Sequence, residues 1–240
     1  MSIGELWYNG YLPMLIAGKP IENWQLILGS VAVIFLVAMV VPYLLGSINS
    51  AVMISRLMYG DDVRNHGSGN AGTTNMLRTY GKAAALLTLL GDMLKTAIAV
   101  CFASFLTSAA FGGWIAGLFC MIGHIFPVYY RFRGGKGVLC VATAVAILSP
   151  IAFVLSLITF IIIVSFTKYV SLGSIFGALM LPLYADIENR IIPLGGIDVL
   201  IAVMMALIVI WCHRANIKRI QQGKESKLSF KSKKKDGDAE

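Results

Sequence analysis

Charge is scarce in this chain. Only 13% of its 240 residues are Asp, Glu, Lys or Arg, against 58% hydrophobic, and the mean hydropathy is +0.78. An ordinary soluble domain carries about a quarter charged residues, so a water-solvated globular fold is excluded. Cysteine is sparse too: Cys101, Cys120, Cys140 and Cys212 lie in or beside apolar runs without a C-x-x-C pair, which leaves neither a disulfide framework nor a zinc knuckle. The three histidines form no cluster with carboxylates at ligand spacing, so no metal and no cofactor are expected. Residues 1–23 contain Glu5, Lys19 and Glu22 rather than a basic start followed by an apolar core, and are not expected to be a cleaved signal peptide.

Long apolar runs are what the chain does have. They fall near 26–57, 83–107, 110–130, 137–149, 151–167, 170–184 and 198–212, and predict an all-α, polytopic membrane helical bundle of about seven transmembrane helices. Crossing a hydrocarbon core of about 30 Å takes about 20 helical residues, so 137–149 and 170–184 are short for the task. Pro42 and Gly46 predict a kink in the first run. The chain divides into an N-terminal interfacial extension (1–25), a transmembrane domain (26–213) and a basic tail (214–240). The extension offers an aromatic belt of Trp7, Tyr8, Tyr11 and Trp24. The tail has little to bury and is expected to be largely disordered.

Cations are distributed unevenly over the connections. Arg56, Arg64, Arg78 and Lys82 flank the first; Arg131, Arg133 and Lys136 fill the third; Lys168 marks the fifth; His213, Arg214, Lys218 and Arg219 open the tail. The second connection has no charge, the fourth is little more than Ser149-Pro150, and the sixth is net acidic. This alternation predicts the N-terminus outside and the C-terminus in the cytoplasm. Most of the net charge of +8 then faces anionic headgroups.

Two polar segments fall on the same cytoplasmic face, "HGSGNAGTTNMLRTYGK" (66–82) and "GHIFPVYYRFRGGKGV" (123–138). Glycine-rich loops beside cations form concave nests of backbone N–H groups that hold phosphate, and two such loops point to two anionic groups. Packing glycines and orienting cations are the simpler reading of any one residue, but not of Ser68, Asn70, Thr73, Thr74 and Asn75 crowded together. A nucleotide P-loop is not indicated, because Val138 stands where its Ser or Thr would be. Asp92 and Lys95, three apart on one helix face, are expected to pair. His124 near a span end is either a hydrogen-bonded interfacial residue or a general base.

In order and spacing, "GSGNAGTTNMLRTYGK", "GDMLK", "GHIFPVYYRFRGGKGV", "YVSLGSI" and "HRANIKRI" resemble the bacterial acyl-phosphate:glycerol-3-phosphate acyltransferases, over roughly residues 40–222. The resemblance implies a seven-helix enzyme of the bacterial cytoplasmic (inner) membrane, with its active site at the cytoplasmic face. It would move a fatty acyl group from acyl phosphate to the 1-hydroxyl of glycerol 3-phosphate, giving lysophosphatidate and phosphate. Its partners would be these two small molecules and the bilayer, with no nucleic acid. Matched to the motifs, Lys136 with Gly134, Gly135 and Gly137 forms one phosphate site. Ser68, Gly69, Asn70, Thr74 and Asn75 form the other wall, completed by Arg64. Ser171, Ser174 and Asn216 are the matched polar positions of the later spans. His124 and the donor's own phosphate are the two candidates for accepting the hydroxyl proton. The chain departs from the family in reading Gly46-Ser47-Ile48-Asn49 where G-S-I-P is usual, and Gly72-Thr73-Thr74-Asn75 where Gly-Ala-Thr-Asn is usual. The H-x-x-x-x-D pair of another acyltransferase family is excluded, since Ala71, Tyr129 and Lys218 stand five residues after the histidines. The alternative is a membrane transporter of a phosphorylated metabolite, whose site would lie at broken helices of paired repeats.

Overall fold

The computed structural model describes residues 24–192 and 197–228. The proposed aromatic belt and the end of the tail lie outside the described side chains. Every regular element among the described residues is helical. Helix α1 spans Trp24–Ser47, α2 Ser50–Tyr59, α3 Thr73–Tyr80, α4 Lys82–Leu106, α5 Trp114–Ile125, α6 Val138–Leu148, α7 Pro150–Thr167, α8 Val170–Ile191, α9 Ile197–Cys212 and α10 Arg214–Gln221.

The first run breaks between α1 and α2. Helix α1 continues through Pro42 to Ser47. Asn49 then starts α2 as its N-cap, accepting the Val52 N–H at 3.1 Å and donating to the Ala71 carbonyl at 3.4 Å. The asparagine found where proline is usual therefore ends one helix, caps the next, and ties both to the first polar segment. Gly46 serves packing: a β-carbon there would run into the Cys120 backbone of α5, and one at Gly123 into the Tyr43 backbone of α1. Reciprocal glycines thus bring these two helices into backbone contact, the usual means of tight association in lipid.

Among the described residues, five helical stretches are long and apolar enough to cross a membrane, α1 and α2 together counting as one, and the pair α9 and α10, bent by 51°, makes a sixth if taken as one span. The remaining expected span is α6, whose 11 residues cover about 16 Å, half a hydrocarbon core. The loop before it is held against the bundle. The Gly134 and Gly135 N–H groups donate to the carbonyls of Ile125 (3.1 Å) and His124 (3.0 Å), folding the loop back along the end of α5. Gly137 consequently packs against Met121 and Ile125, so α6 begins already inside the bundle.

Two other boundaries differ from expectation. Helix α8 runs through Pro182 to Ile191, beyond residue 184; near that end Glu188 turns inward to accept the Ala152 N–H at 2.9 Å and the Ser149 hydroxyl, capping α7. The tail is ordered as far as it is described: α10 covers 214–221, Glu225 is buried, and the Leu228 N–H donates to the Lys168 carbonyl at 2.8 Å. The core that holds the helices in place centres on Trp114, Leu118 and Met121 of α5, Val145 of α6, and Met205 and Val209 of α9.

Candidate active site

The breaks and helix ends described above converge on one cavity of about 470 Å³, polar at one end and apolar along the other. Its polar wall begins with residues 68–75. Gly67 and Gly69 adopt left-handed backbone conformations (φ 56° and 70°), so the chain coils tightly enough for the Asn75 side chain to reach back across it. Asn75 accepts the Ser68 N–H at 3.0 Å and donates to the Val63 and His66 carbonyls, both at 3.0 Å. Its amide is spent on bracing the loop, while Ser68, Asn70 and Thr74 are left on the cavity wall.

The first polar segment was read as a loop, yet 73–80 is helix α3. Gly72 at its N-cap supplies no side-chain acceptor and its carbonyl takes the Asn75 N–H at 3.0 Å, so the Thr73 and Thr74 N–H groups are left for a ligand, backed by the positive end of the helix dipole. Gly72, Thr73 and Thr74 line the cavity. The start of α6 does the same with Gly137, Val138 and Leu139. Backbone anion donors therefore come from two helix N-termini. This corrects the expectation for Gly134 and Gly135, whose N–H groups are occupied by α5 carbonyls and which are not on the cavity wall. Gly69 is not on it either.

Arg64 is also placed elsewhere. Its guanidinium grips both oxygens of Asp62 (2.9 and 2.7 Å) and donates to the Tyr130 and Arg133 carbonyls (3.0 and 2.9 Å), joining the two glycine-rich segments. Hydrogen bonds from Arg64 hold the Asp62 carboxyl far below the usual carboxylate range. The arginine on the cavity wall is Arg78. Among the described residues its hydrogen bond is to the Ser226 carbonyl, at 3.4 Å, so its charge is available to a ligand. Arg78 lies four residues after Thr74, on the same face of α3, a spacing that would have identified it had the helix been recognised.

Lys136 stands opposite. It donates to the Asn216 side-chain oxygen at 2.5 Å, leaving two N–H donors for the cavity. Asn216 in turn donates to Glu225 Oε1 at 2.7 Å, as does the Ser171 hydroxyl, and Arg219 holds Oε2 at 2.7 Å. Burial raises the Glu225 pKa, but the bonds from Asn216, Arg219 and Ser171 outweigh it and the net shift is downward. The carboxylate is the anchor of this wall, and composition offered no sign of it, because it sits in a tail that reads as solvated. Burial, then the charge of Arg219, lowers the Lys136 pKa to about 8, with Glu225 opposing. Ser174 lines the cavity while its hydroxyl bonds back to the Val170 carbonyl at 3.0 Å.

Two histidines complete the polar end, His124 and His213, the second counted in the sequence among the orienting residues of the tail. His213 Nδ1 lies 2.7 Å from the Val209 carbonyl, which can only accept, so Nδ1 carries the proton and Nε2 is an acceptor in the neutral ring. His124 belongs to a buried cluster with Asp92 and Lys95, the pair expected from their spacing. Beyond these groups the cavity runs between α6, α7 and α8 past Val145, Phe153, Leu157, Phe160 and Leu181. Leu157 on this apolar arm is substantially exposed.

An anion site of fixed cations and helix N-termini, continuous with an apolar arm in a polytopic helical bundle, defines a membrane protein built around an amphiphile with an anionic head. A model of the family described as glycerol-3-phosphate acyltransferase matches residues 36–223, and the chain belongs to that family. It is 40% identical over 200 residues to a glycerol-3-phosphate acyltransferase of Coxiella burnetii, covering 82% of this chain and 99% of the relative. It is 41% identical over 189 residues to one of Finegoldia magna, covering 79% and 93%. Among solved structures it is similar to PlsY, an integral membrane glycerol 3-phosphate acyltransferase. The glycerol 3-phosphate form matches with TM-score 0.72 and 32% identity, over 81% of this chain and 95% of that one. The lysophosphatidic acid form matches with TM-score 0.70 and 30% identity.

Proposed function

We propose that this acyltransferase takes its acyl group from acyl phosphate and passes it to the 1-hydroxyl of glycerol 3-phosphate, forming lysophosphatidate and phosphate as the first step of phospholipid synthesis. The observation that carries this reading is the single cavity in which Arg78, Lys136 and two helix N-termini meet an apolar arm. Two substrates with anionic heads, one bearing a long chain, fit that division. The hydroxyl oxygen attacks the acyl carbon and the bond from that carbon to the phosphate oxygen breaks. The phosphate leaves with the electron pair. Its charge then grows beside Lys136, a preorganised donor where charge develops. Acyl phosphate is a mixed anhydride with a good leaving group, so holding both anions in line does most of the work and no nucleophilic Ser or Cys is required. The hydroxyl proton has two acceptors available, an oxygen of the departing phosphate and Nε2 of His213. A transporter of a phosphorylated metabolite would have no use for the apolar arm.

The cation distribution supports placing this site at the cytoplasmic face of a bacterial inner membrane, with the N-terminus outside. One experiment tests reaction and orientation together. In sealed inside-out vesicles, labelled glycerol 3-phosphate added with palmitoyl phosphate is expected to become lysophosphatidate without permeabilisation, and in right-side-out vesicles only after it. The reverse pattern would overturn the orientation, and lack of product in both, permeabilised or not, would overturn the reaction.

A further inference from the structure

Lys95 sits where α1 ends, 6% exposed, with its ammonium among four polar atoms. It donates to the Gly46 carbonyl at 3.1 Å and the Ile48 carbonyl at 2.8 Å, and lies 3.0 Å from His124 Nδ1. Asp92 Oδ1 is 2.8 Å away and forms an ion pair with it. An ammonium has three N–H donors and no lone pair. The two carbonyls can only accept, and the adjacent carboxylate keeps the amine charged. The charged amine has no lone pair to accept a proton from His124 Nδ1, so at 3.0 Å that nitrogen presents its own lone pair to the ammonium. A proton on Nδ1 would instead point at a cation 3.0 Å away, while the Asp92 Oδ1 carboxylate oxygen is 3.7 Å from that nitrogen.

With Nδ1 accepting, the neutral ring carries its hydrogen on Nε2. The nitrogen has room because residue 135 is glycine, a β-carbon there colliding with Nε2, and His124 as a residue is on the cavity wall although Gly135 is not. Among the described residues Nε2 makes no hydrogen bond. We propose that Lys95 fixes His124 in the Nε2–H tautomer, so that His124 acts as a hydrogen-bond donor to the oxygen gaining charge as the acyl–phosphate bond breaks, and is not the base that takes the hydroxyl proton. Lys95 and Asp92 are positioning residues for that donor. His213, bonded through Nδ1–H to a carbonyl, presents the opposite tautomer to the same cavity, so the two rings are not interchangeable.

The donor role rests on the acyl-transfer reading above; the tautomer does not. Nitrogen-15 NMR of histidine-labelled wild-type protein in lipid nanodiscs, with His124 assigned from the signal missing in His124→Gln, should show a proton on Nε2 and a bare Nδ1. A proton on Nδ1 would overturn the proposal without any variant needing to fold. Lys95→Met should release Nδ1 to donate to Asp92 and reverse the tautomer; an unchanged Nε2–H signal would remove Lys95 from its positioning role. In turnover, His124→Gln places an amide N–H near the Nε2 position and should stay within about tenfold of wild type, whereas His124→Ala should fall by a hundredfold or more, the usual loss for one oxyanion donor. Glutamine cannot serve as a base, so Gln and Ala variants equally inactive and equally stable would overturn the donor role. Wild-type protein without acyl transfer would instead fault the proposed reaction.

Discussion

Lys136→Ala is expected to lower kcat/KM by a hundredfold or more, about 3 kcal/mol of transition-state stabilisation, with little change in thermal stability. The lysine makes one protein hydrogen bond, to Asn216, and directs its remaining donors into the cavity. Removing it leaves the departing phosphate without its adjacent full charge, while the Asn216–Glu225–Ser171 network persists. Burial and Arg219 bring the Lys136 pKa down to about 8, so in the free enzyme the ammonium is present below that pH and lost above it. The kcat/KM of the wild type should therefore decline as pH rises through about 8, because anion capture needs the protonated form. Initial rates at subsaturating substrate on either side of that pH test this. The alanine variant should lack the decline, and near-normal turnover in it would leave Lys136 as an orienting charge alone.

Arg78 of the first polar segment and Arg64 just before it should behave oppositely. Arg78→Ala removes a charge held, among the described residues, by a 3.4 Å hydrogen bond to the Ser226 carbonyl. The KM for a phosphate-bearing substrate should rise by roughly tenfold to a hundredfold, matching about 1.5–3 kcal/mol for a hydrogen bond to a charged group. The melting temperature should hold. Arg64→Ala instead dismantles the clamp on Asp62, Tyr130 and Arg133, and should lower the melting temperature with a smaller effect on KM. Steady-state kinetics paired with thermal melts of both variants would show this. A larger KM effect from Arg64 than from Arg78, with both proteins intact, would return Arg64 to the substrate site.

Apolar runs were legible because lipid leaves the backbone one economical solution, and the helices α4, α7 and α9 begin and end within a residue or two of where hydropathy places them. Polar segments were less legible, since glycine and hydroxyl content says that a loop is tight without saying which N–H groups stay free. Ser68, Asn70, Thr74, Lys136 and Asn216 do meet at one cavity. Gly134 and Gly135 fall away from it because their N–H groups pair with the end of α5, a contact no local pattern encodes. Arg78 was hidden by reading α3 as a loop, and Glu225 by a tail whose lysines resemble a solvated segment. The pairing of Asp92 with Lys95 follows from helical spacing; that Lys95 also reaches His124 depends on α4 and α5 meeting at the break after α1, which is tertiary information.

Donor choice tests the account most directly. Because the site offers a phosphate leaving group its own cation and helix N-termini, while the short connections provide no separate domain to grip a bulky carrier, purified protein in detergent should acylate glycerol 3-phosphate rapidly from palmitoyl phosphate and hardly at all from palmitoyl-CoA. Inorganic phosphate and vanadate should compete with the acyl phosphate, and one phosphate should be released per lysophosphatidate formed. Equal or faster transfer from the CoA thioester would contradict the assignment of the Lys136 site to a phosphate leaving group.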